Sequence, residues 1–377
     1  MILISLIITI IYLILIGSFI FGFDKINTFK LEDIPSKTKF SIVIPFRNEA
    51  ESLPGLLKSI ETLNYPNYLF EIIFVDDESE DNSVEIIKVK LESFDSTKPV
   101  ISIINNIRKS NSPKKDAITS AIKKAKYDWI ITTDADCTLP QFWLESFDEY
   151  IQKTNVVCIA APVAYNDDHS FLNRFQILDL LSLQGATIGG FGLNKPFLCN
   201  GANLGYKKSI FIEVNGFEGN TNIASGDDIF LLEKISKKHP EHLHYLKSKQ
   251  AIITTKPQSN WANLLSQRVR WAAKTSTYNN WFGKLTGMIV LLMNALIVIG
   301  FLLSCIGVLN FKILLYILVI KFSIDFFLIH KSASFFNQKN ILKNYIFGFL
   351  IYPFFSVYVA CLSSFSSYKW KGRNFKK

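Results

Sequence analysis

The chain has 377 residues and a formal net charge of +9, and 49% of its residues are hydrophobic. This hydrophobic content is high for a purely soluble protein and indicates membrane segments. The basic balance could serve nucleic-acid binding. However, the sequence shows no helix-turn-helix, zinc-finger or RNP-type motif, so no nucleic-acid partner is predicted.

The N-terminal stretch, residues 1–23, carries no charged side chain. As a helix it would reach roughly 34 Å, enough to cross a hydrocarbon core of about 30 Å. A cleaved signal peptide is the competing interpretation. The stretch lacks a basic start and a small-residue cleavage site, and it is longer than the apolar region of a signal peptide. We therefore predict a retained transmembrane anchor over residues 1–23.

Strand-like and helix-like segments alternate after this anchor. Short β-branched runs predict strands at residues 40–45, 70–75, 100–104 and 129–133. Apolar residues at helical spacing predict helices at residues 49–63, 79–91 and 116–125. This alternation predicts βαβ units, and hence an α/β fold with a parallel sheet. In such sheets ligands bind outside the carboxyl ends of the strands.

Polar residues follow three of these predicted strands. The segments are Pro45 to Glu49, Asp76 to Ser79, and Asp134 to Asp136. One acidic strand end is unremarkable because aspartate caps the following helix well, and capping alone is an open alternative for Asp76 and Asp77. Three polar ends at one sheet edge favour a binding site.

The pair Asp134 and Asp136 has a specific use in such a site. Two ionised carboxylates this close repel each other unless a cation lies between them. Mg²⁺ and Mn²⁺ accept oxygen ligands and bind through one or two carboxylates plus substrate phosphates. The DxD pattern occurs often by chance, so on its own it allows a turn, a helix cap or a metal site.

Two further motifs follow later in the chain. Asp227 and Asp228 precede an apolar helical run, where they could cap the helix or supply a general base. The segment Gln267 to Trp271 reads "QRVRW". It could lie in an amphipathic helix at the lipid interface, or Arg268 and Arg270 could face a diphosphate.

Taken together, "IPFRNEA", "VDDESED", "TTDADC", "SGDDIF" and "QRVRW" resemble the motifs of membrane-bound family 2 glycosyltransferases. The last resembles the QxxRW motif of cellulose, chitin and hyaluronan synthases and of ceramide glucosyltransferases. The resemblance covers about residues 40–281. It implies a GT-A fold, a Rossmann-like nucleotide-diphospho-sugar transferase domain over residues 38–281, flanked by transmembrane helices.

The resemblance also implies roles on the donor side of the site. Pro45, Glu49 and Asp77 would line the pocket for the base and ribose of the nucleotide. Asp134 would contact the donor, and Asp136 would ligate Mg²⁺ or Mn²⁺. The family usually has Gly-Lys where this chain has Lys114 and Lys115. Lys115 is therefore a candidate donor contact.

On the acceptor side, Asp228 matches the base that deprotonates the acceptor hydroxyl, in an Asp-Asp pair that replaces the usual Glu-Asp. Gln267, Arg270 and Trp271 match the QxxRW positions near the diphosphate and the acceptor. The segment Asn200 to Phe211 resembles the family's acceptor-side loop.

The implied function is inverting transfer of a sugar from a nucleotide-diphosphate sugar, with UDP as the expected nucleotide, to a lipid or glycan acceptor. The product would be a β-glycoside, and both processive and single addition stay open. The alternative is a catalytically silent membrane scaffold or partner subunit of a polysaccharide-synthesis complex. That alternative predicts loss of Asp134, Asp136 or Asp228, and all three are present.

The C-terminal part is again apolar, with candidate spans at residues 285–308, 311–330 and 345–364. Lys321 and Asp325 fall inside the second span, four residues apart, where they can pair on one helix face. Pro353 makes the third segment a candidate re-entrant or interfacial element. Basic residues near the membrane edges fit the positive-inside rule and contact with anionic lipid. We thus expect a multi-pass protein of the plasma or inner membrane, with a cytosolic catalytic domain and a basic cytosolic tail at residues 365–377.

We predict an even number of true crossings after Trp281, because Lys25 and Lys30 place the catalytic domain in the cytosol and the tail is basic. A topology reporter fused after Lys377 should respond on the cytosolic side, as should a control fusion after Lys30. An external signal from the Lys377 fusion would contradict this topology.

Overall fold

The computed structural model describes residues 2–92, 99–223, 225–275, 277–365, 368–370 and 373–375. The chain divides into two compact units. The α/β unit comprises residues 27–166 and 199–256. The helical unit comprises residues 1–26, 167–198 and 257–377. The predicted catalytic block at residues 38–281 is therefore interrupted, since residues 167–198 and 257–281 belong to the helical unit.

The helices and strands are numbered in chain order. The α-helices are α1 Ile2–Lys25, α2 Leu53–Glu61, α3 Ser83–Glu92, α4 Pro113–Lys124, α5 Trp143–Lys153, α6 Phe171–Gly192, α7 Lys208–Glu213, α8 Asp227–Lys238, α9 Trp261–Thr275, α10 Trp281–Cys305, α11 Phe311–Phe335 and α12 Tyr345–Phe365. The strands are β1 Phe40–Phe46, β2 Phe70–Asp76, β3 Val100–Asn105, β4 Trp129–Thr132, β5 Cys137–Thr138, β6 Cys158–Ala160, β7 Val163–Tyr165, β8 Leu204–Lys207, β9 Leu243–Tyr245, β10 Ile253–Thr255, β11 Tyr368–Trp370 and β12 Arg373–Phe375.

The main sheet of the α/β unit has the strand order β3-β2-β1-β4-β8-β6-β9. Strands β1 to β4 pair in parallel, and Ile42 of β1 lies in register with Ile72 of β2 and Ile131 of β4. Strand β8 runs antiparallel to both β4 and β6. A second sheet has the order β5-β10-β7. The predicted α/β class and the parallel pairing of the first four strands are confirmed, within a sheet that is mixed as a whole.

The central strands β1 and β2 are buried on both faces, since Val43 and Ile73, which face away from the residues named next, are buried as well. Ile42 and Ile44 of β1 and Phe74 of β2 are fully buried in one hydrophobic core. Helix α2 contributes a stripe of apolar side chains at helical spacing to the same core. It begins at Leu53 rather than at the predicted Glu49, because Pro54 favours the first turn of a helix.

Among its described residues, the helical unit contains four helices that are long and apolar enough to cross a membrane: α1, α10, α11 and the segment that includes α12. The last of these is continuous through Pro353. The predicted anchor at residues 1–23 corresponds to α1. Helix α6 packs closely on α1, since a Cβ atom added at Gly192 would lie 1.8 Å from the carbonyl oxygen of Gly22. Small residues permit this approach.

The C-terminal segment is partly described. Strands β11 and β12 pair antiparallel. Of the predicted basic tail, residues 366–367, 371–372 and 376–377 lie outside the described part of the chain.

A buried polar cluster joins helices α1 and α11. The Lys321 ammonium lies 2.5 Å from the Asp325 carboxylate, so the predicted pair is confirmed. The Tyr12 hydroxyl donates to the same carboxylate at 2.6 Å. Lys321 is only 2% exposed. Charged groups inside a membrane protein usually pair in this way, because an unpaired buried charge is costly.

The substitution Asp325→Ala should destabilise the helical unit by about 3 kcal/mol or more, because it leaves the Lys321 ammonium buried without its carboxylate. The melting temperature in detergent micelles measures this effect. Asp24→Ala is the matched control, since Asp24 is 58% exposed and pairs with Lys331 at the surface. The control should cost about 1 kcal/mol or less. Equal shifts in the two variants would contradict a buried role for Asp325.

Candidate active site

The candidate site begins where β4 ends. Asp134 follows Thr132, the last residue of that strand, by two positions. Its Oδ1 atom lies 2.6 Å from the Nζ atom of Lys114, which stands in the first turn of α4. The Asp134 side chain is 36% exposed. The first acid of the DxD pattern thus has a cationic partner from the chain itself.

Lys114 also approaches a second acid. Its Nζ atom lies 3.5 Å from Oδ2 of Asp227, the first residue of α8. Burial disfavours the charged form of Lys114, but the carboxylates of Asp134 and Asp227 outweigh it and hold the pKa above its ordinary value. The ammonium therefore stays charged and bridges two carboxylates.

Asp228 is held by backbone amides. Its Oδ2 atom accepts a hydrogen bond from the Gly201 amide at 3.0 Å, and its Oδ1 atom accepts one from Ile229 at 2.8 Å. Helix α8 begins after Gly226, whose φ of 83° is a left-handed conformation that favours glycine. These contacts fix the Asp228 carboxylate beside Gly201.

Gly201 connects the end of β4 to this acid pair. Its carbonyl oxygen accepts a hydrogen bond from the Thr132 hydroxyl at 2.8 Å. A Cβ atom at position 201 would lie 2.9 Å from Oδ2 of Asp227 and 3.4 Å from the Cβ atom of Asp228. The segment that resembles the acceptor-side loop therefore touches both acids, and it leaves no room for a side chain there.

The second acid of the DxD pattern, Asp136, is partly exposed, and Ala135 between the two acids is 2% exposed in the hydrophobic core. In the described residues there is no cluster of three or more His, Cys, Asp or Glu side chains that could hold a metal ion. A Mg²⁺ or Mn²⁺ ion bound by one or two carboxylates plus substrate phosphates does not need such a cluster. Asp134 and Asp136 fit that kind of binding.

The residues predicted to line the nucleotide pocket lie at the ends of β1 and β2. Pro45 and Glu49 are both partly exposed. The Arg47 guanidinium donates to the carbonyl oxygen of Asp77 at 2.7 Å and so joins the two strand ends. At the start of α3 the Ser83 amide donates to Asp81, while the Ser79 amide donates to Asp76 at 3.0 Å.

Two residues around Asp77 were missed by sequence reasoning. The Asn106 amide donates to Oδ1 of Asp77 at 2.6 Å and to the Pro113 carbonyl at 3.0 Å. The Arg108 guanidinium lies 3.6 Å from the same carboxylate oxygen. Both follow β3, whose end carries no acid. The signal in the sequence that could have identified them is a polar residue, Asn106, directly after a parallel strand.

Lys115 points away from Asp134. It is 1% exposed, and its ammonium donates to the carbonyl oxygens of Asn220 at 2.7 Å and Ile223 at 3.0 Å. Burial lowers its pKa to about 8. Consecutive residues of a helix point about 100° apart. Lys114 therefore reaches the carboxylates, and Lys115 holds the segment before α8.

The QxxRW positions lie on α9 of the helical unit. Gln267, Arg270 and Trp271 are partly exposed there. Arg268, for which a diphosphate contact is one of two open alternatives in the sequence, is buried, and its Nε atom lies 2.6 Å from Oδ2 of Asp179 on α6. This partner lies 89 residues away in the chain, and no sequence motif links the two residues.

Known proteins match this chain in both sequence and fold. Residues 41–214 match the model of glycosyl transferase family 2. An undecaprenyl-phosphate 4-deoxy-4-formamido-L-arabinose transferase of Pseudomonas savastanoi is 41% identical over 108 residues, which cover 28% of this chain and 31% of the relative. The probable glycosyltransferase YdaM of Bacillus subtilis is 26% identical over 245 residues, covering 64% of this chain and 56% of the relative.

A solved structure is similar along almost the whole chain. The mannosyltransferase PcManGT of Pyrobaculum calidifontis, solved with GDP-Man and Mn²⁺, superposes with a TM-score of 0.57 at 12% identity and covers 96% of both chains. At this identity the similarity concerns the fold. The structure therefore has a GT-A fold, and the similarity in sequence to glycosyl transferase family 2 covers residues 41–214.

Proposed function

We propose that this protein transfers a sugar from a nucleotide-diphosphate sugar to a lipid or glycan acceptor at the membrane. The observation that carries this proposal is the contact of Lys114 with Asp134 and Asp227, the neighbour of Asp228, in a chain whose residues 41–214 match the model of glycosyl transferase family 2. The four candidate spans of the helical unit support an acceptor at the membrane. We place the α/β unit in the cytosol, where nucleotide sugars are available.

The comparisons favour a lipid-linked acceptor and a nucleotide-sugar donor that is bound together with a divalent metal ion. Relatives over part of the chain are named for transfer to undecaprenyl phosphate, and the structural relative was solved with a nucleotide sugar and Mn²⁺. We propose UDP as the nucleotide on the motif resemblance alone. Pro45, Glu49 and Asp77 would contact the base and ribose, and Gln267, Arg270 and Trp271 would serve the diphosphate and the acceptor.

Asp228 is the proposed general base. It would take the proton of the acceptor hydroxyl while that oxygen attacks the anomeric carbon. The new bond joins this carbon to the acceptor oxygen, and the bond to the diphosphate oxygen breaks on the opposite face. One displacement inverts the anomeric centre, so an α-linked donor gives a β-glycoside. The amides of Gly201 and Ile229 hold the carboxylate in one orientation for this step.

The donor side needs positive charge for the leaving diphosphate. A Mg²⁺ or Mn²⁺ ion held by Asp136, with Asp134 close by, would supply it when bound. Lys114 contributes a second, permanent positive charge from the chain itself. Its ammonium orients the Asp134 carboxylate towards the site.

The substitution Asp228→Asn should lower the rate of sugar transfer by about 10²- to 10⁴-fold, because an amide cannot accept the acceptor proton. Transfer from a labelled donor in native membranes with Mn²⁺ measures this rate. Asp128→Asn is the matched control, since Asp128 binds the Ser209 amide at 2.9 Å and lies outside the site. Equal transfer rates for Asp228→Asn and the wild type would argue against Asp228 as the base, and no transfer by either protein would favour the catalytically silent alternative.

The substitution Gly201→Ala should lower the transfer rate by up to about 10²-fold, because the new methyl group displaces Asp227 or Asp228 from its position. Gly55→Ala is the control, since a Cβ atom at that helical position meets no atom within 4 Å. Both variants should fold, as thermal melting would verify. A Gly201→Ala enzyme with wild-type turnover would show that the acids need no fixed geometry.

A further inference from the structure

Arg268 differs from the signature residues around it. Gln267, Arg270 and Trp271 are partly exposed, whereas Arg268 is 6% exposed. An arginine at this depth is ordinarily paired, because an isolated buried charge is costly. Its function therefore lies in what it contacts inside the helical unit.

The Arg268 guanidinium makes three different contacts. Its Nε atom donates to Oδ2 of Asp179 at 2.6 Å. Its Nη1 atom donates to Oε1 of Gln267. Its central carbon lies 4.2 Å from the centre of the Trp271 ring, in a cation–π arrangement. One side chain thus contacts two of the three QxxRW residues.

Helix α6 supplies the fixed support for these contacts. Asp179 is 6% exposed, and one turn earlier Gln176 is fully buried. The Gln176 side chain exchanges two hydrogen bonds with the backbone of Gln258, at 2.9 and 2.8 Å. Helix α9 is therefore attached to α6 just before its first turn and again at its middle.

Only arginine can make this combination of contacts. The guanidinium is planar and offers several donors in fixed directions, and its face stacks on aromatic rings. A lysine ammonium at the same place keeps the charge and can pair with Asp179. A lysine ammonium lacks the planar group with two donor nitrogens, so it cannot also donate to Gln267 while stacking on the Trp271 ring.

We propose that Arg268 and Asp179 are positioning residues of the transferase, which fix the side chains of Gln267 and Trp271 in their working orientation. This inference rests on the proposed function, in which those two residues serve the diphosphate and the acceptor. Arg268 itself contacts neither substrate in this account, so the diphosphate contact that the sequence leaves open for it is not part of the proposal.

The first test compares Arg268→Lys and Asp179→Asn with the wild type in kcat, KM and melting temperature. We expect kcat to fall at least about ten-fold in both variants, as loss of orientation does. Arg268→Lys keeps the charge pair and should melt within a few degrees of the wild type, whereas Asp179→Asn leaves the guanidinium without its carboxylate and should melt lower. Arg174→Lys is the matched control. Arg174 lies on the same helix as Asp179, binds Asn344 at 2.9 Å and approaches Asp167 at 3.7 Å. It should keep the wild-type kcat.

The second test separates positioning from simple stability. Arg268→Lys is introduced again into a chain that carries Gln267→Ala and Trp271→Ala. A residue that acts through these two side chains should have little further effect once they are gone, because coupled residues are not additive. If Arg268→Lys lowers kcat by the same factor in the wild-type chain and in the chain with Gln267→Ala and Trp271→Ala, the positioning role is overturned. So would loss of folded protein in both Arg268→Lys and Asp179→Asn.

The two proposals fail in distinguishable ways. A wild-type protein without transfer from any nucleotide sugar would overturn the proposed function and this inference with it. An active wild type whose Arg268→Lys variant is equally active would overturn this inference alone.

Discussion

The candidate site depends on one cation placed between carboxylates. Lys114 stands in the first turn of α4, where the helix dipole disfavours a positive charge. Asp134 from the end of β4 and Asp227 from the start of α8 offset that cost. Their mutual repulsion is relieved by the same ammonium. This triad brings together three elements that are distant in sequence, and Asp228 follows as the next residue of α8.

The same physical rule organises the helical unit by itself. Each of its deeply buried charges described above has an opposite charge beside it: Lys321 with Asp325 on α11, and Arg268 on α9 with Asp179 on α6. A further contact from Tyr12 joins α1 to α11. A packed protein interior offers no water to a buried charge, so these pairs hold defined helices together. Apolar packing alone lacks this specificity.

Periodicity was enough to predict the four parallel strands and the long apolar helices. Their signal is local, since a buried strand or span is apolar over its whole length. The positions of Asp134 just after β4 and of Asp228 at the start of α8 were also predictable, because each acid belongs to a short motif at the end of a strand or the start of a helix. The residues that these acids contact were not predictable from the sequence. Which of Lys114 and Lys115 reaches Asp134 depends on the helix rotation of α4, and the pairing of Arg268 with Asp179 depends on tertiary packing. The assignment of α6 to the helical unit likewise follows from its packing on α1.

The central claim is that a single base acts in one displacement at the anomeric carbon. The most direct measurement is the anomeric configuration of the product, determined by NMR coupling constants after transfer from an α-linked nucleotide sugar. The account predicts a β-glycoside as the sole product. An α-linked product would mean retention and would contradict the role given to Asp228.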